Sequence, residues 1–303
     1  MELRHIRYFI RAAELLHFTH AAESLYISQP TLSIHIQQLE EELGTPLFAR
    51  TGRNVRLTEA GEIFLLHARQ SMRSLELAQE EIADLQGVRR GTLRIGALFS
   101  FSQELIPKWL VIFNNAHPNV QVQVQSGTPD EIEQAILSGA VDFALSFLPP
   151  DSSDIESDTL FKEEIVVAVA KENCLCEKKQ LDYKDLGSLP FALPARRGAS
   201  TVRRIVDERL AEEKIEPKVL VEMNDIHALL TIAEQGNAAT ILSRTAIGNR
   251  SGLRIMPLPG KPLSVDAGIM WHKTSNLSPA AKAFLNVIKS NLPAANEMSN
   301  MGS

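Results

Sequence analysis

The sequence predicts an α/β protein with an all-helical head ending in a hairpin, a long connecting helix, and a two-lobed α/β body. Three observations carry this expectation. Two short helical patterns flank a break at Tyr26-Ile27-Ser28 near the start of the chain. One apolar stripe then runs from Phe64 to Leu85 in steps of four and three. From Thr92 onward, strand-like and helix-like segments alternate.

The bulk properties set limits. A chain of 303 residues exceeds what one hydrophobic core usually serves, so two or three domains are expected. Apolar residues make up 44% and charged residues 22%, an ordinary globular composition. The net charge of −6 does not mark the whole chain as a nucleic-acid binder, so charge is read locally. No apolar run reaches the ~18 residues of a membrane helix. The opening "MELRHIRYFIRAAELLHF" is charged every few residues, unlike a signal peptide. With only Cys174 and Cys176 there is no disulfide framework, and a cytoplasmic protein without a cofactor is expected. No lysine precedes Lys108, and all 11 earlier fixed positive charges are arginines. A guanidinium fork suits phosphate and guanine better than an ammonium does. Compositional drift is the alternative.

The head follows element by element. Leu3, Ile6, Phe9, Ile10 and Ala13 recur at helical spacing. Thr19 reads as the cap of a second short helix. Ser28 reads as the cap of a third, with Pro30 in its first turn, where a missing N–H does no harm. Leu32, Ile36, Leu39 and Leu43 form one buried stripe, and Gly44 ends the helix as a left-handed cap. Pro30, Ser33, Ile34, Gln37 and Gln38 fall on the other side. That face lacks acids for two turns, while Glu40, Glu41 and Glu42 crowd the far end. Only its N-terminal half can approach a duplex, with small hydroxyls, amides and the positive helix end. Ile34 is either a subunit contact or an apolar probe for a thymine methyl. Arg50, Arg53 and Arg56 surround Gly52-Arg53-Asn54, which reads as a hairpin with a basic tip. Residues 1–58 hold six Arg against six Glu, with positive charge gathered at that tip and on the first helix. An ordinary helical corner followed by a hairpin is the rival reading.

The run Thr19, Ala21-Ala22, Leu25, Ser28-Gln29-Pro30, Leu32-Ser33, Ile36, Leu39-Glu40, Leu43-Gly44, Leu47-Phe48, Arg50, Arg53, Leu57-Thr58, Ala60-Gly61 resembles the winged helix-turn-helix of LysR-type transcriptional regulators. The resemblance implies that the start of the third helix enters the major groove and the hairpin, or wing, reaches the minor groove. By position, Gln29, Pro30, Thr31 and Ser33 would face bases or phosphates, flanked by Thr19, Ser28, Ile34, Gln37 and Arg50, with Arg53 as the wing probe. This chain departs from the family at Ile34, where a basic or polar residue is common, and at His20, where Arg is common.

In residues 59–86, Phe64, Ala68, Ser71, Leu75, Ala78, Ile82 and Leu85 trace a coiled-coil seam, with charges on the other faces. Such a helix spans ~42 Å at 1.5 Å per residue. One long core helix is the alternative. Pairing through the seam fits the family's linker helix and would place two recognition helices on an inverted repeat. "GVRRG" reads as the hinge that follows.

In the body, "TLRIGAL", "VQVQVQ" and "VDFALSF" read as strands around helices at 103–116 and in "PDEIEQAILSG". A second series runs through "IVVAVA", "PFALP", "TVRRIVDERLAEE", "KVLVEM", "IHALLTIAEQG" and "AATILS". "VDAGIMWH" and a helix at 279–291 close the body, the helix packing back on the first lobe. The alternation argues for parallel sheets. The resemblance implies a two-lobed domain like the type II periplasmic binding proteins. The expected layout is residues 1–58 as DNA-binding domain and 59–91 as linker. Residues 92–293 form the effector domain, with lobe I at 92–163 and 265–293 and lobe II at 164–264. Residues 294–303 are a loose tail.

Ligands of open α/β sheets bind beyond the carboxyl ends of strands. That nominates Ser100, Phe101 and Ser102; Thr128; Ser146 and Phe147; Ser200 and Thr201; and Asn224. Hydroxyls beside helix ends favour a small anion such as a carboxylate, and each alone is also an ordinary helix cap. Phe99, Phe101 and Phe147 are cleft wall or core. The resemblance implies effector contacts at Ser100, Ser102, Thr128 and Thr201. Cys174 and Cys176 match neither a zinc site nor a redox pair, no histidine shows ligand spacing, and no nucleophile elbow or phosphate loop occurs. The expected protein is a DNA-binding transcriptional regulator, not an enzyme, switched by a small molecule. Its expected partners are double-stranded DNA, a second copy in a dimer or tetramer, and RNA polymerase, with no membrane. A solute carrier with an incidental head is the rival from another class.

Overall fold

The computed structural model describes residues 1–51, 54–85, 91–173, 178, 180–196 and 201–292. Two compact units emerge, one built on Met1–Val88 and the other on Arg89–Ile136 and Val141–Ser303. The hinge at 87–90, Cys174, Cys176, Arg53, Ser200 and the tail lie outside the described residues, as do the side chains of Arg50 and Leu85.

The first unit runs α1 (Leu3–Leu15), α2 (Phe18–Ser24), α3 (Gln29–Leu43), β1 (Phe48–Thr51), β2 (Asn54–Leu57) and α4 (Glu59–Leu85). Its core is aromatic. Phe9, fully buried, packs 5.5 Å from the ring of Phe48 and 5.0 Å from that of Phe64. Phe18 meets Phe48 edge-on at 5.2 Å. Leu32, Ile36 and Leu39 fill the space beneath α3. The stripe stops there: Leu43 is 39% exposed, because the next contact toward the hairpin is polar. Glu40 Oε1 accepts the N–H groups of Leu47 and Phe48 at 2.7 and 3.1 Å, pinning the entry to β1. β1 and β2 pair antiparallel, Phe48 opposite Leu57.

The cap expected at Thr19 is supplied by His17, whose Nδ1 accepts from His20 N at 3.3 Å. α2 starts at Phe18 so that this ring reaches the core, which leaves Thr19 exposed inside the first turn. Thr58 ties the wing to α4: its hydroxyl donates to Pro46 O at 2.7 Å and accepts from Gly61 N at 3.0 Å. Gly61 is required, because a Cβ there would stand 2.1 Å from Leu47 O.

The expected seam divides. Ala68 is buried in the head's own core and Phe64 packs against that core partly buried. Leu75 (43%), Ala78 and Ile82 (58%) are exposed. The period of a helix cannot say which core its stripe serves; the rings of Phe9 and Phe48 capture the first turns of α4. Among the described residues no helix is long and apolar enough to cross a membrane.

The second unit begins with β3 (Gly91–Leu98), α5 (Phe99–Glu104), α6 (Ile106–Ala116), β4 (Val120–Gly127), α7 (Pro129–Leu137) and β5 (Phe143–Leu148). β6 (Ile155–Ala170), α8 (Tyr183–Ser188), β7 (Pro190–Pro194), α9 (Thr201–Glu212), β8 (Lys218–Met223), α10 (Ile226–Glu234), β9 (Thr240–Ser243), α11 (Arg244–Ile247), β10 (Leu253–Pro257), β11 (Leu263–His272) and α12 (Pro279–Ser290) follow. The expected parallel sheets are only partly parallel. β3 lies parallel to β4 and β5, and β7 to β8. β11 inserts antiparallel between β5 and β6, and β9 and β10 pair antiparallel with β6. Alternation reports which faces are wet but not which way a neighbour runs.

β6 is the long strand. Its first half belongs to the lobe I sheet through β11, and its second half carries β9 and β10 of lobe II. The chain returns through the start of β11, where Ser264 and Val265 face Glu164 and Glu163. The last helix packs on lobe I as expected, Phe284 lying edge-on to Phe113 at 5.2 Å.

Candidate nucleic-acid interface and ligand cleft

The leading end of α3 is built as a donor-rich tip. Ser28 Oγ accepts from Thr31 N at 3.2 Å and lies 2.7 Å from the Thr31 hydroxyl. Gln29 Nε2 donates to Ser33 Oγ at 2.8 Å, which preorders both side chains on the outward face. Ile34 is 55% exposed beside them. Glu41 accepts from Gln37 at 2.8 Å, Glu40 is engaged with the wing and Glu42 pairs with the Met1 amino group, so all three acids at the far end have partners. Tyr26, in the turn before α3, holds a left-handed backbone (φ 57) and is 96% exposed. Thr19, Ser28, Gln29, Pro30, Thr31, Ser33, Ile34 and Gln37 are all partly or fully exposed.

In the second unit a cavity of about 70 Å³ opens between the lobes. Lobe I contributes Leu98, Phe99 and Ser100 at the end of β3, Gly127, Thr128 and Pro129 at the end of β4, and Phe147 of β5. Lobe II contributes Pro194 at the end of β7, Val202 of α9, Asn224 and Ile226 after β8, and Leu242, Ser243 and Ala246 around the start of α11. These are the carboxyl ends of the strands, where α/β sheets hold ligands. The walls are mostly apolar, and Ser100, Thr128, Asn224 and Ser243 supply the polar points. No charged side chain lines the cavity among the described residues.

Of the nominated residues, Ser100, Thr128, Phe147 and Asn224 line this cavity. Thr128 also caps α7, exchanging bonds with Glu131 at 2.8 Å from its N–H and 3.1 Å from its hydroxyl. Phe101, Ser102, Ser146 and Thr201 do not line it. Phe101 points into the core, edge-on to Phe147 at 5.3 Å and Phe161 at 6.1 Å. Ser102 donates back to Phe99 O at 2.9 Å. Ser146 is 1% exposed inside the sheet opposite Gly268. On α9 it is Val202, one residue beyond Thr201, that turns inward. Sequence reasoning missed Ser243, whose Oγ accepts from Ala246 N at 3.4 Å. A serine closing a strand and opening a helix was the available signal.

Behind the cleft two charged groups brace its walls. Arg203, 1% exposed, donates to Pro194 O at 2.7 Å, Asp207 at 2.9 Å and Glu222 at 2.9 Å. Its charge is neutralised there and fixes Pro194 in place. Glu163, at the crossing of β6, accepts both the N–H and the hydroxyl of Thr245 at 2.7 Å, while Arg244 pairs with Glu164 at 2.8 Å. Burial raises the Glu163 carboxyl above the usual carboxylate value, against the Thr245 bonds and the Arg244 charge, which lower it. The crossing strand is therefore tied to α11, which carries Ala246 of the cleft wall. Among the described residues no metal-binding group of His, Cys, Asp or Glu occurs.

Comparison with known proteins agrees with this geometry. The model of the bacterial regulatory helix-turn-helix proteins of the lysR family matches residues 3–62, and that of the LysR substrate binding domain matches residues 86–293. The chain is 32% identical over 292 residues to the transcriptional dual regulator GltC of Bacillus subtilis, covering 95% of this chain and 96% of that protein. It is 32% identical over 278 residues to the regulator ShiR of Corynebacterium glutamicum, covering 91% and 94%. Full-length CbnR complexed with its target DNA superposes with a TM-score of 0.69 at 25% identity, over 96% of this chain and 99% of CbnR.

Proposed function

The chain belongs to the LysR family and is a DNA-binding transcriptional regulator with a C-terminal effector-binding domain; on that premise we propose how it reads DNA and what class of molecule switches it. The leading residues of α3 enter the major groove. Gln29, Pro30, Thr31 and Ser33 meet bases and phosphates, Ile34 meets a thymine methyl, and Ser28 and Gln37 flank them, with Thr19, Arg50 and Arg53 completing the contacts. Residues 1–58 serve as the reading domain, 59–91 as linker and 92–293 as effector domain. Two copies pair through Leu75, Ala78, Ile82 and Leu85, forming a dimer or tetramer on an inverted repeat. Support comes from the exposure of the first three on an otherwise charged rod.

The effector is a compact molecule with an apolar body and a small polar or anionic head. The observation that carries this is the cavity itself, whose apolar walls end in Ser100, Thr128, Asn224 and Ser243. Such a ligand touches both lobes, so its binding shifts their closure and the way paired copies bend DNA. The relatives are transcriptional regulators, not enzymes, and the same is proposed here, with RNA polymerase as a further partner and the cytoplasm as the compartment. Genome-wide footprinting with and without small carboxylic acids tests the reading. One acid should alter the footprint, and Phe147→Asp should abolish that response while basal binding persists. A Phe147→Asp protein that responds unchanged overturns the cleft as the effector site.

A further inference from the structure

Beside the cleft lies a second chamber of about 290 Å³. α5 lines the cleft with Phe99 and Ser100 and this chamber with Gln103 and Glu104, and Ala246 borders both. Its chemistry differs from that of the cleft, because Glu104, His227 and Arg250 all face it. Arg250 donates to Glu234 at 2.8 Å and to His227 Nδ1 at 2.7 Å. A guanidinium cannot accept a hydrogen bond, so His227 Nδ1 is the acceptor and the ring proton sits on Nε2. The guanidinium carries more N–H groups than these two bonds use. Arg250 and His227 Nε2–H therefore retain donors for an anionic group.

Lobe I supplies the opposite charge. The Glu104 carboxyl rests against Gly248, where a Cβ would stand 2.8 Å from its carbon. The Gly248 backbone, φ 59 and ψ −147, lies near a region that is essentially reserved for glycine. The backbone conformation calls for the glycine, and a side chain there would also displace the carboxylate. Among the described residues no cation pairs with Glu104.

We infer that this chamber is a second binding site, distinct from the effector cleft, for a small zwitterion of the α-amino-acid class. The ammonium meets Glu104, the carboxylate meets Arg250 and His227, and a short side chain lies toward Leu230 and Ile247. A ligand held from both lobes links them directly.

Calorimetric titration of the full-length protein with L-alanine, L-glutamine and L-leucine tests this. At least one should bind saturably. Its N-acetyl derivative, which lacks the ammonium, and its methyl ester, which lacks the carboxylate, should each bind about tenfold more weakly or worse. Glu104→Gln should weaken the free amino acid by about the same factor. Because the ligand series uses the unaltered protein, a misfolded variant does not rescue the idea. No saturable heat from any of the three amino acids overturns it. So does binding that survives Glu104→Gln in a folded protein, or survives blocking of either end.

Discussion

The rings of His5 on α1 and His35 on α3 face each other with centroids 5.0 Å apart, and both ring nitrogens of His5 are buried without a hydrogen-bond partner. α3 is thus held to α1 partly by a histidine that folds best when neutral. Burial, and then the adjacent His35, lower the His5 pKa from its ordinary 6.5, with Arg4 acting in the same direction and Glu2 against it.

A lowered pKa in a base means that the unfolded chain takes up the proton first. Its stabilisation is complete above 6.5 and is lost as pH falls below that value. Thermal melting of the head should therefore drop between about pH 7.5 and about pH 5.5, and His5→Leu should flatten that slope. A variant that melts with the same slope as the parent shows that His5 is not the group responsible.

Ser28 separates folding from DNA contact. Ser28→Ala removes the cap of α3 and should cost about 1 kcal/mol in denaturant melts. Ser28→Asp keeps a capping oxygen, so stability should return, but its carboxylate faces phosphate and DNA affinity should fall further. Equal DNA binding by the Asp variant and the parent places the tip of α3 away from the duplex.

Ile34 sits exposed on the same face, so Ile34→Ala should leave stability within about 0.5 kcal/mol. Discrimination between thymine and uracil at one half-site position should shrink severalfold, because only the methyl differs. Binding to paired operators that contain either base measures this. Unchanged discrimination at every position assigns Ile34 to a protein contact.

Glu163 gives the opposite pH trend from His5. Its raised pKa means that the folded chain holds the proton more tightly than the unfolded one. That stabilisation is complete below the ordinary value of 4.5 and is lost as pH rises through the folded value. Glu163→Gln mimics the neutral form and should remove this part of the pH dependence of effector-domain stability. Melts of both proteins across acidic to neutral pH decide it; parallel curves exclude Glu163.

The head was legible because its signals are local. Ser28, Pro30 and Gly44 mark the ends of α3. The division of the α4 stripe was not legible, because Phe64 and Leu75 share one period yet meet different surroundings. In the body, strand ends located the cleft, and Ser100, Thr128, Phe147 and Asn224 were found that way. Phe101 and Ser146 follow the same rule but face away, since one residue of advance reverses direction along a strand and swings it by about 100° on a helix. The antiparallel insertion of β11 depends on partners about a hundred residues or more apart, and no local window of sequence contains both.

The passage of β6 through both halves of the body has an evolutionary corollary. One half is a single unbroken stretch inserted into the other, so a single recombination event between relatives cannot trade one ligand-sensing half for another. Exchange would require two breakpoints, each inside a paired strand, whereas a single side-chain replacement in the cleft leaves those pairings intact.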